Sequence, residues 1–504
     1  MPNQRLRHER LRHGLQLITI LTLLAACGGG GSSGSAGSGE PPPLPVVGAD
    51  NIVSWPVSAI DSTQSIELTK FAQLPLNSVG APKRMNVMAT VAGKIFVGTE
   101  QSGVIYEVSK NLATAWFDVA AAILATTGRQ LDTTANWHAG LRSLAFHPNF
   151  ATNGRFYTTV MEERPADPSQ HHYVSDSATP IAADGVLIEW QANPQTLIPD
   201  PASYREVLRV GMPVYDHTIK QIIFGPDGLL YLGHGDGSVK SASTGGGQNN
   251  DALGKILRIN PLASGGLTYT VPADNPFVNN PAMLDEVFSL GHRNPHHLAF
   301  ASDGTLIVAE PGRDNVDEIN IVSSGSNYGW PAREGTYVHL SSGGLLSGLE
   351  TLPTDDANTN YVYPAIQYGH VGRPGDGFIG QALGGGYVVE NGSALNGLYF
   401  FCEFATIGDI YFSSLTDLQN SVRQGAPDSL RQATTNRALI RFDNDDNPAT
   451  PPQAWDSMVA LVAASPIYDG SGRADIRFGQ GPDGTLYLMS KRNSTIYRVE
   501  NSRP

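Results

Sequence analysis

A short pattern recurs along the chain and limits the folds that are open to it: an apolar strand, a turn with Asn or Asp, and a second apolar strand. The copies read LAFHPNFATNGRFYTTV around Asn149, IIFGPDGLLYLG around Asp227, LAFASDGTLIVAE around Asp303 and FGQGPDGTLYLMS around Asp483. The first three turns are 78 and 76 residues apart, and the next interval is 180 residues, so at least one copy has diverged. Asp-Gly pairs between runs of Val, Ile, Leu, Phe and Tyr favour tight β-hairpins.

The spacing of these hairpins predicts an all-β fold, a six-bladed β-propeller over residues 49–504. Charged residues make up only 16% of the chain, beside 55 Gly and 34 Pro, which is typical of a loop-rich β protein. A large sandwich would not repeat the hairpin so regularly, and a β-helix has a much shorter period. Helix signals are scarce, and residues 116–127 are expected to form one short helix.

The N-terminus has the features of an export signal. Four arginines (Arg5, Arg7, Arg10, Arg12) precede an apolar run at residues 15–26 that is too short to span a bilayer. The run ends in LAAC, which resembles a bacterial lipobox and implies lipidation of Cys27. Residues 1–26 are therefore predicted to be a lipoprotein signal peptide. Ordinary cleavage nearby, with Cys27 incidental, is the alternative.

Residues 27–48 are predicted to be a tether, because their Gly/Ser-rich and then Pro-rich composition cannot bury a core. The expected location is the periplasm, with a lipid anchor in the outer membrane because Gly28 rather than Asp follows the cysteine. The membrane is expected to be contacted only through this anchor.

Charge and cysteine content exclude several functions. The net charge of −14 becomes −17 without residues 1–26, which argues against a nucleic-acid partner because phosphate binding needs clustered Lys and Arg. Cys27 and Cys402 are the only cysteines, so a cysteine metal cluster is excluded. If Cys27 carries lipid, no internal disulfide can form.

Two clusters stand directly before predicted strands. Tyr215-Asp216-His217 pairs an imidazole with a carboxylate, which suits a general base near neutral pH. A loop histidine with only local hydrogen bonds is the alternative. Gly291-His292-Arg293-Asn294-Pro295 supplies a planar cation for an anionic ligand, or is simply a structural turn.

Two further segments expose backbone to a ligand. Residues 310–320 combine Gly and Pro turns with acidic side chains, which favours calcium held by carbonyl oxygens, or else a solvated acidic loop. Residues 233–237, with Asp236, and residues 245–248, which end in Gln248, are rich in glycine. They match neither the P-loop nor the dinucleotide fingerprint, so nucleotide binding is not expected.

Taken together, these clusters resemble the glucose/sorbosone dehydrogenase family, soluble sugar dehydrogenases that use pyrroloquinoline quinone (PQQ). The resemblance runs from about Arg84 to Val499. The matching stretches are GLRSLAFHPNF, YDHTIKQIIFGPDGLLYLGHGDG, LGKILRINP, VPADNPF, GHRNPHHLAF and VDEINIVSSGSNYGWPAREG.

The resemblance implies a role for each candidate residue. His217 matches the base that takes the proton from the C1 hydroxyl of the sugar, while a hydride passes to PQQ and a lactone forms. Asp216 would orient His217, and Asp236 matches a residue of the substrate pocket. Arg293 and Asn294 match residues that hold the quinone oxygens. The carbonyls of Gly312 and Arg313 match those that bind calcium.

The cationic partners of PQQ depart from the family pattern. A lysine that holds a PQQ carboxylate in the family has no clear counterpart, since the region reads CEFATIGDIYF. Of an arginine pair near the C-terminus, Arg473 or Arg477 is the candidate survivor, and Lys491 is a possible substitute. Gln248 completes the candidate cofactor contacts.

The sequence thus predicts a PQQ- and calcium-dependent aldose dehydrogenase. Its substrate would be a small sugar, and its electron acceptor is not indicated. Two alternatives remain open: a non-catalytic propeller that binds a ligand or protein, and a calcium-dependent hydrolase of the lactonase type, which would need carboxylates converging on the metal.

Overall fold

The computed structural model describes residues 60–133, 139–164, 171–174, 183–212, 216–238, 251–340, 348–370, 378–380, 382–443 and 451–501. This part of the chain is mostly β, as predicted. Its first strand is β1 (Ile60–Gln73).

The sheets follow one another along the chain. The first contains β2 (Met85–Val91), β3 (Lys94–Thr99), β4 (Val104–Ser109) and β5 (Leu112–Asp118). The second contains β6 (Leu141–Phe146), β7 (Arg155–Glu162), β8 (Tyr173–Val174), β9 (Ala183–Ala192) and β10 (Pro199–Met212). The third contains β11 (Ile219–Phe224), β12 (Leu230–His234), β13 (Lys255–Ile259) and β14 (Val287–Leu290).

The next sheet is interrupted by a smaller one. It contains β15 (His297–Phe300), β16 (Leu306–Glu310) and β17 (Val316–Val322), and is completed by β21 (Ile366–His370) and β22 (Phe378–Gly380). The inserted sheet contains β18 (Arg333–Glu334), β19 (Tyr337–Leu340) and β20 (Gly348–Thr351).

The last sheet joins the C-terminal strands to β1. Its strands are β23 (Leu383–Gly384), β24 (Leu398–Glu403), β25 (Ile410–Ser414), β26 (Asn436–Asp443), β27 (Gln453–Trp455), β28 (Ile476–Gln480), β29 (Leu486–Ser490) and β30 (Thr495–Asn501). β1 lies between β26, to which it is parallel, and β30, to which it is antiparallel. The first described strand therefore closes the last sheet.

Short helices connect some of the strands. They are α1 (Val119–Thr127), α2 (Phe150–Asn153), α3 (Leu415–Gln419) and α4 (Met458–Ala463), with 3₁₀ turns at Asp356–Thr359 and Pro427–Ser429. The helix predicted over residues 116–127 is present but begins later. Asp118 caps its N-terminus by accepting from the Ala121 N–H, so Trp116 stays in β5.

The predicted hairpins have a common turn. In three copies a backbone bond closes the loop, from Gly225 to Leu229, from Ala301 to Thr305 and from Gly481 to Thr485. The turn aspartate in each copy accepts the backbone N–H two residues later. In the copy at Asn149, the short helix α2 connects the two strands in place of this turn. The long interval before Asp483 contains the inserted sheet and a turn closed by backbone bonds between Val389 and residues 397 and 398.

The first strands of successive sheets pack side by side. β28 contacts β2, β2 contacts β6, β6 contacts β11, and β11 contacts β15. The apolar core lies between facing sheets, as where Tyr157 and Leu187 pack against Ile222 and Leu232. This arrangement brings the entrances of the first strands to one end of a shared axis, where the candidate residues lie.

We expect the closure by β1 to carry a large share of stability. Leu68 is fully buried in β1, while Leu439 is 47% exposed on the adjoining β26. Leu68→Ala should lower the free energy of unfolding by about 2–5 kcal/mol, because it opens a cavity in a packed core. Leu439→Ala, the control, should change it by less than about 0.5 kcal/mol. Urea unfolding measures the stability of both variants. Equal losses of stability would contradict the large contribution expected from β1.

Candidate active site

His217 lies at the entrance to β11 and is completely buried. Its backbone has φ 52°, a left-handed conformation that is uncommon for a residue with a side chain. Asp216 supports this turn, because its Oδ1 accepts the His217 backbone N–H at 2.7 Å. There is also no room for a side chain at Gly235, where a Cβ would lie 2.6 Å from the Cβ of His217. The local backbone is therefore built around the imidazole.

Asp236 holds the His217 ring. Its Oδ1 lies 2.6 Å from His217 Nδ1, and its Oδ2 accepts the indole N–H of Trp330 at 2.9 Å. The sequence assigned the orienting role to Asp216 and placed Asp236 in the substrate pocket. The structure instead places Asp236 on the ring. Asp216 Oδ2 is 3.3 Å from Nε2, which makes no hydrogen bond within the described part of the chain.

The two carboxylates set the charge of the imidazole. Burial on its own lowers the pKa of His217, but Asp216 and Asp236 outweigh this and raise the pKa to about 9, against the opposing charge of Arg293. Burial raises the pKa of Asp236, but the His217 charge and Arg293 hold it below its usual range. In this arrangement His217 is an imidazolium at neutral pH.

Arg293 lies close to this pair, at the turn before β15. Its guanidinium carbon lies 5.7 Å from the centre of the Trp330 ring, and its backbone carbonyl accepts the Asp236 N–H. Its Nη1 donates to the carbonyls of Pro311 and Gly312 at 3.0 and 2.6 Å. The structure therefore brings His217, Asp236 and Arg293 together.

Asn294 is 2% exposed, and its Oδ1 has no hydrogen-bond partner among the described residues. A buried amide oxygen without a partner costs free energy, so such atoms commonly mark a ligand or water position. Asn294 and His217 Nε2 are the two candidate cofactor or substrate contacts that show this feature.

Glu334 shapes the loop that was predicted to hold calcium. Its Oε1 accepts the backbone N–H groups of four successive residues, 313 to 316, and its Oε2 accepts from the Asn315 side chain. Burial raises the pKa of Glu334, but His339 and these hydrogen bonds hold it below its usual range. Nothing in the sequence around Glu334 points to this role. Its position in the family stretch VDEINIVSSGSNYGWPAREG was the only signal.

One of the two carbonyls predicted to bind calcium already has a cationic partner. The Gly312 carbonyl accepts Arg293 Nη1, and a Cβ at Gly312 would lie 1.8 Å from the Val316 carbonyl oxygen. A divalent ion at the Gly312 carbonyl would stand beside a guanidinium and be repelled. As arranged, the Gly312 carbonyl does not fit calcium. Within the described ranges, no cluster of three or more His, Cys, Asp or Glu could hold a metal ion.

Two predicted cofactor cations are held in ion pairs. Arg473 donates to Asp475 at 2.8 and 3.2 Å. Lys491 is 3% exposed and bonds to Glu100 and, at 3.0 Å, to Asn86. Neither of them lines the axial cavity described next. Gln248, Tyr215 and Cys27 lie outside the described residues.

Other cations line the axial cavity, which has a volume of about 30 Å³. They are Arg142 on β6, Lys220 on β11 and Arg477 on β28. Lys220 Nζ lies 3.9 Å from Asp216 Oδ1, so the cavity adjoins the His217 cluster. The sequence named Arg477 as an alternative and missed the other two. The available signal was a charged residue inside an otherwise apolar strand, as in GLRSLAF and TIKQIIF.

Within the described ranges, no helix is both long and apolar enough to cross a membrane.

Comparison with known proteins places this chain in a family. The sequence profile of the Glucose / Sorbosone dehydrogenase family matches residues 82–343. The HIPL2 protein of Arabidopsis thaliana is 30% identical over 336 residues, which cover 58% of this chain and 45% of the relative. Quinoprotein glucose dehydrogenase B of Acinetobacter calcoaceticus is 29% identical over 214 residues, or 39% of this chain and 41% of the relative. The chain thus matches less than half the length of these relatives.

A solved structure shares the fold. The PQQ-bound form of aldose sugar dehydrogenase from Streptomyces coelicolor aligns with a TM-score of 0.51 at 20% identity, covering 88% of this chain and 99% of that one. The family match covers just over half of the chain and confirms the resemblance drawn from the motifs. The chain belongs to the Glucose / Sorbosone dehydrogenase family.

Proposed function

We propose that the protein oxidises an aldose sugar at C1 to the lactone, with PQQ as its cofactor. One observation carries the proposal: a buried imidazole held by Asp236 through Nδ1, with Nε2 free of hydrogen bonds among the described residues, close to Arg293. Family membership supports a sugar dehydrogenase. The aldose dehydrogenase fold is consistent with it.

The proposal includes a six-bladed propeller. Support comes from the axial cavity, which is lined from β2, β6, β11, β15 and β28 and by Tyr387 from the segment beside β23. β23 contacts both β16 and β28, which continues the series of neighbouring sheets. Each of these six segments would be the inner edge of one blade.

The residues present fit a quinone with several carboxylates. Arg142, Lys220 and Arg477 line the cavity, while Asn294 and His217 present unbonded polar atoms among the described residues. When bound, PQQ would accept the hydride from C1 of the sugar. Arg293 could turn from the Gly312 carbonyl to an oxygen of a bound anion, where its fixed charge would stabilise negative charge.

His217 is the proposed base. Its Nε2 would accept the proton of the C1 hydroxyl, while Asp236 on Nδ1 keeps the ring oriented and stabilises the imidazolium that forms. Because both carboxylates favour the charged form of the cofactor-free ring, the ring must lose its own proton from Nε2 before that nitrogen can act as a base. The ring is also fully covered by protein, so a sugar reaches Nε2 only when covering residues move.

Calcium binding at the carbonyls of Gly312 and Arg313 stays a prediction, and it requires a movement of Arg293. Arg293 Nη1 must first leave the Gly312 carbonyl, since both cations would need the same oxygen. No step of the proposed reaction is therefore assigned to calcium.

A binding role is the second candidate. It is favoured by the ion pairs that hold Arg473 and Lys491, and by a relative, HIPL2 protein, whose name states no activity. The lactonase alternative has less support. The carboxylate cluster that it needs is not found among the residues that the structure describes.

Replacement of His217 separates an enzyme from a binding protein. In His217→Gln, PQQ-dependent dye reduction with an aldose panel should fall by about 10²–10⁴-fold, because the base is lost. PQQ binding, measured by calorimetry, should persist.

His147→Gln is the matched control. His147 lies at the far end of β6, where it bonds to Asn149 and Asn153, and its replacement should leave turnover unchanged. Wild-type protein that neither retains PQQ nor oxidises any sugar would rule out the dehydrogenase.

The charge of His217 gives a pH prediction for the cofactor-free protein. An NMR titration with ring-labelled histidine should show His217 losing its proton near pH 9. In Asp236→Asn the midpoint should fall, because a carboxylate that stabilises the imidazolium is gone. Asp227→Asn, in a distant turn, should not move it. A midpoint at or below the ordinary histidine pKa of about 6.5 would contradict the assigned environment.

We also propose that the protein is an exported lipoprotein of the periplasm, anchored through Cys27 in the outer membrane. Cys27→Ser should abolish incorporation of labelled palmitate and move the protein from the membrane to the soluble fraction. Unchanged labelling in this variant would eliminate Cys27 as the anchor.

A further inference from the structure

The axial cavity brings together cations from three separate strands. Arg142, Lys220 and Arg477 are the second residues of β6, β11 and β28, so they stand at the same depth below the strand entrances. Their exposed fractions are 3%, 4% and 7%. A cation in this position is removed from water and needs a compensating negative group.

Carboxylates of the chain compensate these cations unequally. Glu100 lies behind Arg142 at 3.1 Å and also pairs with Arg84 and Lys491, so one carboxylate is shared by three cations. Lys220 approaches Asp216 at 3.9 Å. None of the residues lining the cavity is acidic. The positive charge is therefore concentrated on the cavity side.

Arg477 is the least compensated of the three. Its Nη1 donates to the Ile476 carbonyl, its Nη2 lies 3.4 Å from His296 Nε2, and its guanidinium stacks on Phe404. Across the ranges that the structure describes, no carboxylate lies within ion-pair distance of it. Burial lowers the pKa of Arg477 to about 10, so it still carries its charge at neutral pH.

Two histidines complete the lining. His297 is 7% exposed, and neither of its ring nitrogens has a hydrogen-bond partner in the described chain. Burial and Arg477 lower the pKa of His297 to about 3, so the ring is neutral and offers one donor. Burial, together with Arg477, Lys220 and Arg142, lowers the pKa of His296 well below its ordinary value. The cavity thus presents fixed positive charge and unsatisfied polar atoms.

We propose that this cavity is an oxyanion-binding site, in which Arg477, Lys220 and Arg142 hold a carboxylate, sulfate or phosphate group. Water could satisfy the polar atoms, but only an anion also neutralises the charge. The same chemistry has two sources: a carboxylate of the proposed quinone, or a free inorganic anion. The site itself does not depend on the proposed function.

Calorimetric titration of the cofactor-free protein with sodium sulfate at constant ionic strength tests the site. Wild-type protein should bind one sulfate saturably. Arg477→Gln should weaken binding at least about tenfold, because a charge-assisted hydrogen bond is lost. Arg498→Gln is the matched control, since Arg498 is 42% exposed on β30 and pairs with Glu500. Its affinity for sulfate should be unchanged.

A second variant and a titration in the presence of PQQ complete the experiment. If circular dichroism shows that Arg477→Gln does not fold, Lys220→Gln takes its place and should also weaken sulfate binding. If a quinone carboxylate fills the cavity, prior addition of PQQ should abolish sulfate binding. If the natural ligand is a free inorganic anion, sulfate binding should persist in the presence of PQQ. Sulfate binding without PQQ binding would refute the proposed dehydrogenase but keep the site. Absence of saturable sulfate binding, with PQQ affinity unaffected by Arg477→Gln, would overturn the inference.

Discussion

The pairing of β1 with β30 is the constraint on which the rest of the structure depends. It places the first described strand between two C-terminal strands, paired from Ile66–Asn501 to Gln73–Thr495 with a register shift between Lys70 and Ala72. The neighbouring strands β28, β2, β6, β11 and β15 contact each other in turn. Residues of the site come from the entrances of β11 and β15 and from loops near β17 and β18, so the distances between them depend on how these sheets pack against each other.

Buried carboxylates organise the described site. Asp236 fixes the imidazole, Glu310 accepts the Arg293 backbone N–H and the His292 ring, and Glu334 gathers four backbone N–H groups. Each carboxylate is buried and satisfied by several donors, which offsets the cost of removing it from water. The electrostatics of the site are thus set by the chain itself before any ligand binds.

The sequence predicted those parts of the molecule that local patterns encode. Hairpins at Asp227, Asp303 and Asp483 follow from turn chemistry, and His217 and Arg293 follow from motifs next to strands. Trp330 and Glu334 act on residues about 94 and 20 positions away, and no local pattern reports such a contact. Asp236 reaches Nδ1 of His217 from 19 positions away, while the adjacent Asp216 accepts the His217 backbone N–H, and sequence adjacency does not report which carboxylate meets the ring. The sequence did not predict that the cations of the axial cavity form a cluster, because each is a single charged residue in an apolar strand.

The contact between Arg293 and the Gly312 carbonyl has a thermodynamic consequence. An anion that binds the guanidinium must first replace this carbonyl, so its measured affinity is lower than that of the released side chain by the cost of breaking the contact. A change that weakens the contact would therefore tighten anion binding without touching the anion. The effect would arise from a single side chain moving between two positions, without a rearrangement of the sheets.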